Sequence, residues 1–215
     1  MALFISLRTV SLATLIAFLI SILLAWIVSS KSKPISVLIE FIVTIPIFIP
    51  PTILGFYLLQ IMGKNSLPGK IYNSLFGQSF MFSPAAAVTA AALAGLPFIY
   101  KSIKSFLDSV DRTIISAAEI TGASRWQIFI FILLPLSRNG VLGGLLLGFL
   151  RGLGEFGITM MIAGNIEGVT RTVPLAIWDS VVSGKNDTAN FYSAILGVIS
   201  ILIIIIFKSL EKENR

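Results

Sequence analysis

Two residue types are missing altogether. The chain has no cysteine, which excludes disulfides, thiolate metal sites and thiol nucleophiles. It has no histidine, which excludes His-type zinc sites and Ser-His-Asp triads. Charge is scarce as well. Only 12% of the 215 residues are charged, about half the share of a soluble globular domain. No soluble stretch is long enough to bury a core of its own, so an extramembrane catalytic domain is excluded. What fills the chain is apolar, at 56%, in several runs of 18 or more nearly uncharged residues. Such runs are helices that cross a bilayer. The expected fold class is therefore all-α: a polytopic helical membrane protein forming one domain over residues 1–215. The net charge of +6 reads as an orientation signal and calls for no nucleic-acid partner. No cofactor and no metal are expected.

Five spans are readable: about Thr9–Val28, Ile35–Ile61, Pro84–Phe106, Arg138–Ala163 and Phe191–Phe207. The first has Arg8 as its sole preceding charge and no clear small-residue cleavage site, so it is expected to be retained. The second contains Pro46, Pro50 and Pro51 and must be interrupted, either as a broken helix or as a re-entrant pair. Lys31, Lys33, Lys101, Lys104, Arg112, Arg125, Arg138, Lys208, Lys212 and Arg215 fall on one side, ten of the sixteen basic residues. Arg8, Lys64, Lys70, Arg171 and Lys185 fall on the other. The richer side is expected in the cytoplasm, with the N-terminus outside and the C-terminus inside. The loop at about 110–136 is then cytoplasmic and the segment at about 164–190 external.

Gly63–Lys70 resembles a phosphate-binding loop but has five residues between its glycines where four are needed, and Ile71 stands where Ser or Thr must hold Mg²⁺. It reads as an ordinary turn. The cytoplasmic loop says more. Ser116–Ala123 is helical, Gly122 permits a sharp turn, and Ser124 caps a second short helix through Arg125, Trp126 and Gln127. This helix–turn–helix either docks a partner or merely joins two spans. In the fourth span Gly140, Gly144, Gly148 and Gly152 recur every four residues, a stripe that admits a neighbouring helix. Arg151 and Glu155 are expected on one helix face near mid-span, either lining or gating a pathway or forming a structural ion pair.

The loop resembles the EAA loop of ABC importer permeases. Ala117, Ala118, Gly122, Ile132, Leu134 and Pro135 stand at the motif's spacing, with Ser116 in place of its first acidic residue. The resemblance implies that Ala117, Ala118, Glu119, Gly122, Ala123, Ser124 and Arg125 couple the membrane domain to an ATPase. A second stretch resembles the signature of molybdate/tungstate permeases, relatives of the sulfate permeases. It comprises Gly154, Phe156 and Gly157, then Gly164 and Asn165, then Pro174, together with Pro50 and Pro51 in the second span. Phe156 favours molybdate or tungstate over sulfate, whose permeases tend to have Tyr there.

The resemblance implies a type I importer-like permease subunit, translocating oxyanions and catalysing no bond chemistry. Implied partners are two cytoplasmic ABC ATPase subunits, an extracytoplasmic oxyanion-binding protein, a second copy in a homodimer, and membrane lipid. Sulfate or thiosulfate transport is the alternative within the family. A self-sufficient secondary transporter or channel is the alternative outside it. The external stretch Thr172–Val182 reads as an amphipathic helix that either receives the binding protein or anchors at the interface through Trp178.

Overall fold

The computed structural model describes residues 1–30 and 33–213, and the side chains of residues 30, 33 and 209–213 are not described. Lys31 and Arg215, counted in the charge asymmetry, lie outside the described residues. The described residues are helical and contain no strand. In order they form α1 (Ala2–Ser30), α2 (Lys33–Phe48), α3 (Pro51–Met62), α4 (Leu67–Phe76), α5 (Pro84–Ser109), α6 (Arg112–Ile120) and α7 (Arg125–Ile128). A π-helical turn, Phe129–Leu133, leads through α8 (Leu134–Leu136) to α9 (Arg138–Leu153), α10 (Gly157–Ile162), α11 (Val173–Val182) and α12 (Asn186–Glu213).

The centre is a three-helix layer of α1, α5 and α9. Small residues make it possible. Along α5, Ala86, Ala87, Ala90, Ala91 and Ala94 are buried, and along α1 Ala13, Ala17 and Ala25. The α9 glycines face α5. A Cβ on Gly148 would stand 2.4 Å from Ile99 Cγ1, and one on Gly140 would stand 2.4 Å from the Phe106 ring. A Cβ on Gly144 would stand 3.0 Å from Ser102 Cβ, and one on Gly152 would meet Val10 of α1 at 2.9 Å and the Ala91 carbonyl at 3.2 Å. Without a hydrophobic drive inside a bilayer, such close approach supplies the packing energy. Ser102 adds a hydrogen bond, donating from its hydroxyl to the Gly140 carbonyl at 2.8 Å.

Two spans depart from straight crossings. α2 and α3 meet at 113° around Ile49-Pro50. Pro50 and Pro51 have no N–H to continue a helix, and Pro50 takes an extended ψ of 133°. The fourth span is corrected more sharply. It was expected as one helix to Ala163, but α9 stops at Leu153 and resumes as α10 after Gly154-Glu155-Phe156. Its 16 residues reach about 24 Å, so α9 alone falls short of a hydrocarbon core. The fifth span starts earlier than read, since α12 is continuous from Asn186.

The chain ends sort clearly. The N-terminus of α1 meets α11, where the Val173 N–H donates to Ser6 Oγ at 2.7 Å. The other end of α1 meets the α6–α7 loop, with the Trp26 and Trp126 rings edge-to-face at 5.2 Å. Phe207 of α12 reaches Gly143 near the start of α9. The loops at 77–83 and 163–185 therefore share one end, and the loop at 110–137 lies at the other.

Candidate functional site

The first candidate surface is the α6–α7 turn. Asp111 caps α6, accepting from the Thr113 N–H at 2.9 Å, and that bond holds its carboxyl below the ordinary carboxylate range. The cap is thus made at neutral pH and weakens as acid protonates the carboxylate. α6 closes with backbone bonds from Thr121 to Ala117, from Gly122 to Glu119 and from Ala123 to Ala118. Gly122 has φ +83°, the left-handed conformation that glycine adopts without penalty. Ser124 then opens α7 with a reciprocal capping box. Its hydroxyl accepts from the Gln127 N–H, and the Gln127 side chain accepts from the Ser124 N–H.

The turn has an inner and an outer face. Ile115, Ala118 and Ala123 pack towards the core built on Ile103, Leu107 and Ile128. Ala117, Glu119, Gly122 and Arg125 face outwards. Ile120 is 86% exposed and Trp126 is half exposed, so apolar surface stands bare at the far end of the molecule. Phe129 stacks on Trp126, and the π turn follows, where the Leu134 N–H reaches back five residues to Phe129 O. Pro135, having no N–H, sits just beyond that wide turn. Trp126 thus touches both buried Phe129 and the Trp26 ring of α1.

The second candidate is the junction after α9. Glu155 does not lie on the α9 face, as the i, i+4 spacing had suggested, but in the break beyond it. The pair forms nonetheless: Arg151 Nη1 stands 2.8 Å from Glu155 Oε2. The other carboxylate oxygen accepts from the Ile158 N–H at 2.8 Å, in the first turn of α10. The Glu155 side chain is 1% exposed and Arg151 33%. Glu155 thus ties the end of α9 to the start of α10, and Arg151 is the member of the pair that reaches the surface.

Signature residues far apart in sequence meet at this junction. A Cβ on Gly157 would stand 2.8 Å from Pro51 Cβ, so the start of α10 presses on the start of α3. Pro50 precedes α3 and Pro51 opens it, where a missing N–H costs nothing. Gly154 ends α9, and a Cβ there would meet Leu150 O at an ordinary 3.7 Å. Phe156 leans on Trp178 at 6.3 Å between ring centres. Gly164, at φ +68°, leaves room for Phe82, whose ring would lie 2.8 Å from a Cβ.

Asn165 is the hub of the end bearing the N-terminus. Its Oδ1 accepts from Arg171 Nε at 2.9 Å, and its Nδ2 donates to Asp179 Oδ1 at 3.1 Å. Buried Thr170 donates to the Gly164 carbonyl and accepts from the Ile166 N–H. This lattice locks the loop to α11, which has Pro174 in its first turn. Sequence reading missed Asp179. It also missed Gly95, whose Cβ would stand 2.7 Å from the Gly148 carbonyl. Gly95 ends an alanine-rich run, a signal that could have marked it as the counterpart of the α9 stripe.

The Gly63–Lys70 segment is a turn and helix start. Ser66 accepts from the Gly69 N–H at 3.0 Å and caps α4. Among the described residues no group of three or more Asp or Glu could hold a metal ion.

Comparison with known proteins adds to this geometry. Residues 17–212 match the family of binding-protein-dependent transport system inner membrane components. The chain is 38% identical over 188 residues to the molybdenum transport system permease protein ModB of Haemophilus influenzae, covering 86% of this chain and 82% of that one. It is 42% identical over 160 residues to the putative molybdenum transport system permease protein YvgM of Bacillus subtilis, covering 74% and 70%. It is 36% identical over 206 residues to ModB of Escherichia coli K12, covering 94% and 90%. A bacterial ABC transporter that imports the acidic polysaccharide alginate shares the fold. Its TM-score is 0.80 at 17% identity, over 99% of this chain and 78% of that one.

Proposed function

This chain belongs to the family of binding-protein-dependent transport system inner membrane components, and from that premise we propose that it translocates molybdate or tungstate. It is a membrane transport subunit of an ABC importer and not an enzyme. Such a permease works with a binding protein and an ATPase. The choice of anion rests on the relatives named for molybdenum transport.

The observation that carries the coupling role is the bare apolar turn around Ile120, Gly122 and Trp126. A soluble protein seldom leaves large apolar side chains clustered at a tip unless another surface covers them. In the proposed mechanism two ATPase subunits each take one α6–α7 turn of a homodimer. ATP-driven closure draws the two turns together. The Trp126–Trp26 contact passes the movement to α1, and the helices rock between inward and outward access. The lattice around Asn165 offers the binding protein a rigid external platform. α12 is unburied along its apolar length, which supports a role against lipid or a second copy.

Copurification with the ATPase, followed by uptake of molybdate, tungstate and sulfate, tests the reading. Molybdate or tungstate uptake is expected to exceed sulfate uptake, and the reverse order would reassign the substrate. Gly122→Val tests the coupling turn. Nothing lies within 4 Å of a Cβ there, so the cost is purely conformational, about 1–2 kcal/mol. Uptake and ATPase coupling should fall several-fold while membrane insertion stays normal; unchanged uptake would remove the turn from the coupling path. Topology has its own test. A reporter fused after Arg215 should read cytoplasmic, and a signal from the opposite side would invert the orientation.

A further inference from the structure

A groove runs between α1 and α5 at the end that bears the N-terminus. Its volume is about 650 Å³, and its walls include Arg8, Leu12 and Ile16 of α1, Val88 of α5 and Tyr72 of α4. Arg8 is exposed and makes no ion pair or side-chain hydrogen bond among the described residues. None of the residues lining the groove is acidic. Glu167, the chain neighbour of lining residue Gly168, is engaged by Arg171 at 3.5 Å. The Arg8 charge is therefore uncompensated within the protein.

The depth of that charge follows from the length of its helix. α1 has 29 residues and is about 43 Å long, against a hydrocarbon core of about 30 Å. Arg8 stands about 9 Å from the start of α1, so a centred helix puts it at the edge of the core. From there a long side chain reaches the lipid phosphates. Tyr72 and Phe80 form an aromatic wall of the kind found at headgroup level, with their rings edge-to-face at 5.2 Å. Leu12 and Ile16 lie about 6 and 12 Å further along α1. Each is 44% exposed, so the groove opens to the side of the bundle.

The groove thus changes from cationic to apolar along one line into the membrane. A small oxyanion would use the Arg8 end and leave the apolar length empty. A phospholipid matches both parts. Its phosphodiester suits the planar fork of a guanidinium, and an acyl chain covers bare aliphatic surface. We propose that this groove holds one anionic phospholipid, with its phosphate on Arg8 and an acyl chain laid past Leu12, Ile16 and Val88. An anionic headgroup is favoured because no carboxylate in the lining repels it. The site stands or falls independently of which anion the permease moves.

The permease copurified with its ATPase is loaded in detergent with equal phosphatidylglycerol and phosphatidylcholine and then washed. Native mass spectrometry counts the lipid that stays bound. Wild-type protein should keep one phosphatidylglycerol per permease chain. Arg8→Gln should lower that retention about fivefold, the scale of one basic residue near an anionic headgroup, and Arg8→Lys should keep most of it. Val88→Phe fills the groove and leaves the charge in place. It should lower retention too, which an arginine that merely reaches the bulk headgroups would not predict. Should Val88→Phe fail to fold, Leu12→Phe on the exposed wall carries the same test. Lys70→Gln, at an exposed lysine of α4, should change nothing. Wild-type retention in Arg8→Gln or in the groove-filled variant overturns the site, and so does equal retention of the two lipids. Release of the lipid by added molybdate assigns Arg8 to the substrate anion and overturns it as well. The chain has no cysteine, so Leu12→Cys reports on a second copy. A disulfide between two such chains shows the groove covered by protein and likewise overturns the lipid site.

Discussion

Glu155→Ala should remove transport and most of the folded protein. The substitution takes away two partners at once. Arg151 loses the carboxylate 2.8 Å away, and the Ile158 N–H loses the acceptor that starts α10. Breaking a buried pair from one side costs about 3 kcal/mol or more, because the remaining charge is stranded at membrane depth. Arg151 is 33% exposed, which places the cost at the lower end of that range. Glu167 provides the contrast. It also pairs with an arginine, Arg171, at 3.5 Å, but its side chain is 81% exposed. An exposed pair of this kind contributes about 0–1 kcal/mol, so Glu167→Ala should be mild. Folded yield after heating in detergent and uptake in cells both read the difference. Equal, small losses in the two variants would sink the assignment. The double change Arg151→Leu with Glu155→Ala should recover part of the folded yield, because it removes the stranded charge.

Gly148→Ala is the second large effect. A methyl group there would meet Ile99 Cγ1 at 2.4 Å and Cδ1 at 2.6 Å. Ile99 is 0% exposed, so its side chain is enclosed by the neighbouring helices. α5 and α9 must then part along their whole contact, and overpacking of that kind costs about 1–3 kcal/mol. Gly143 sits on the same helix but meets nothing closer than 3.6 Å. Gly143→Ala should therefore be neutral or gain up to about 1 kcal/mol from helix propensity. Thermal unfolding of the two variants side by side decides the matter, and a Gly148→Ala protein as stable as Gly143→Ala would deny the close helix contact.

Different parts of the molecule were legible to different degrees. The α6–α7 turn was readable almost residue by residue. Its conformation depends on local chemistry: a helix-forming run, a glycine at positive φ, and a serine three residues before a glutamine. The glycine stripe was equally readable, since its spacing is a property of one helix. Its partner Gly95 has no such spacing, and only the alanine-rich run before it marks a close helix contact. The Arg151–Glu155 pair was legible as a pair, yet the helix between its members was wrongly continued. Neither Gly154 nor Phe156 forbids a helix outright. Gly154 closes α9, and the Glu155 carboxylate then accepts from the Ile158 N–H of a new helix that packs on Pro51, a segment about a hundred residues away in sequence. The Asn165 lattice was hidden for the same reason, since Asp179 comes to it only once α11 folds back.

The sequence by itself determined the membrane class, the number and order of apolar segments, the turn geometry at Gly122 and the helix-packing stripe. All of these follow from composition and from interactions within a few residues, where the chain has little choice. Tertiary structure alone decided where α9 breaks, how sharply α2 turns into α3, and which signature residues touch. It also decided that Lys104 of α5 comes within reach of Glu40 of α2. Those outcomes depend on burial and on contacts between segments distant along the chain. In a membrane a polar group must find its partner within the protein, and the fold alone sets which partner lies within reach.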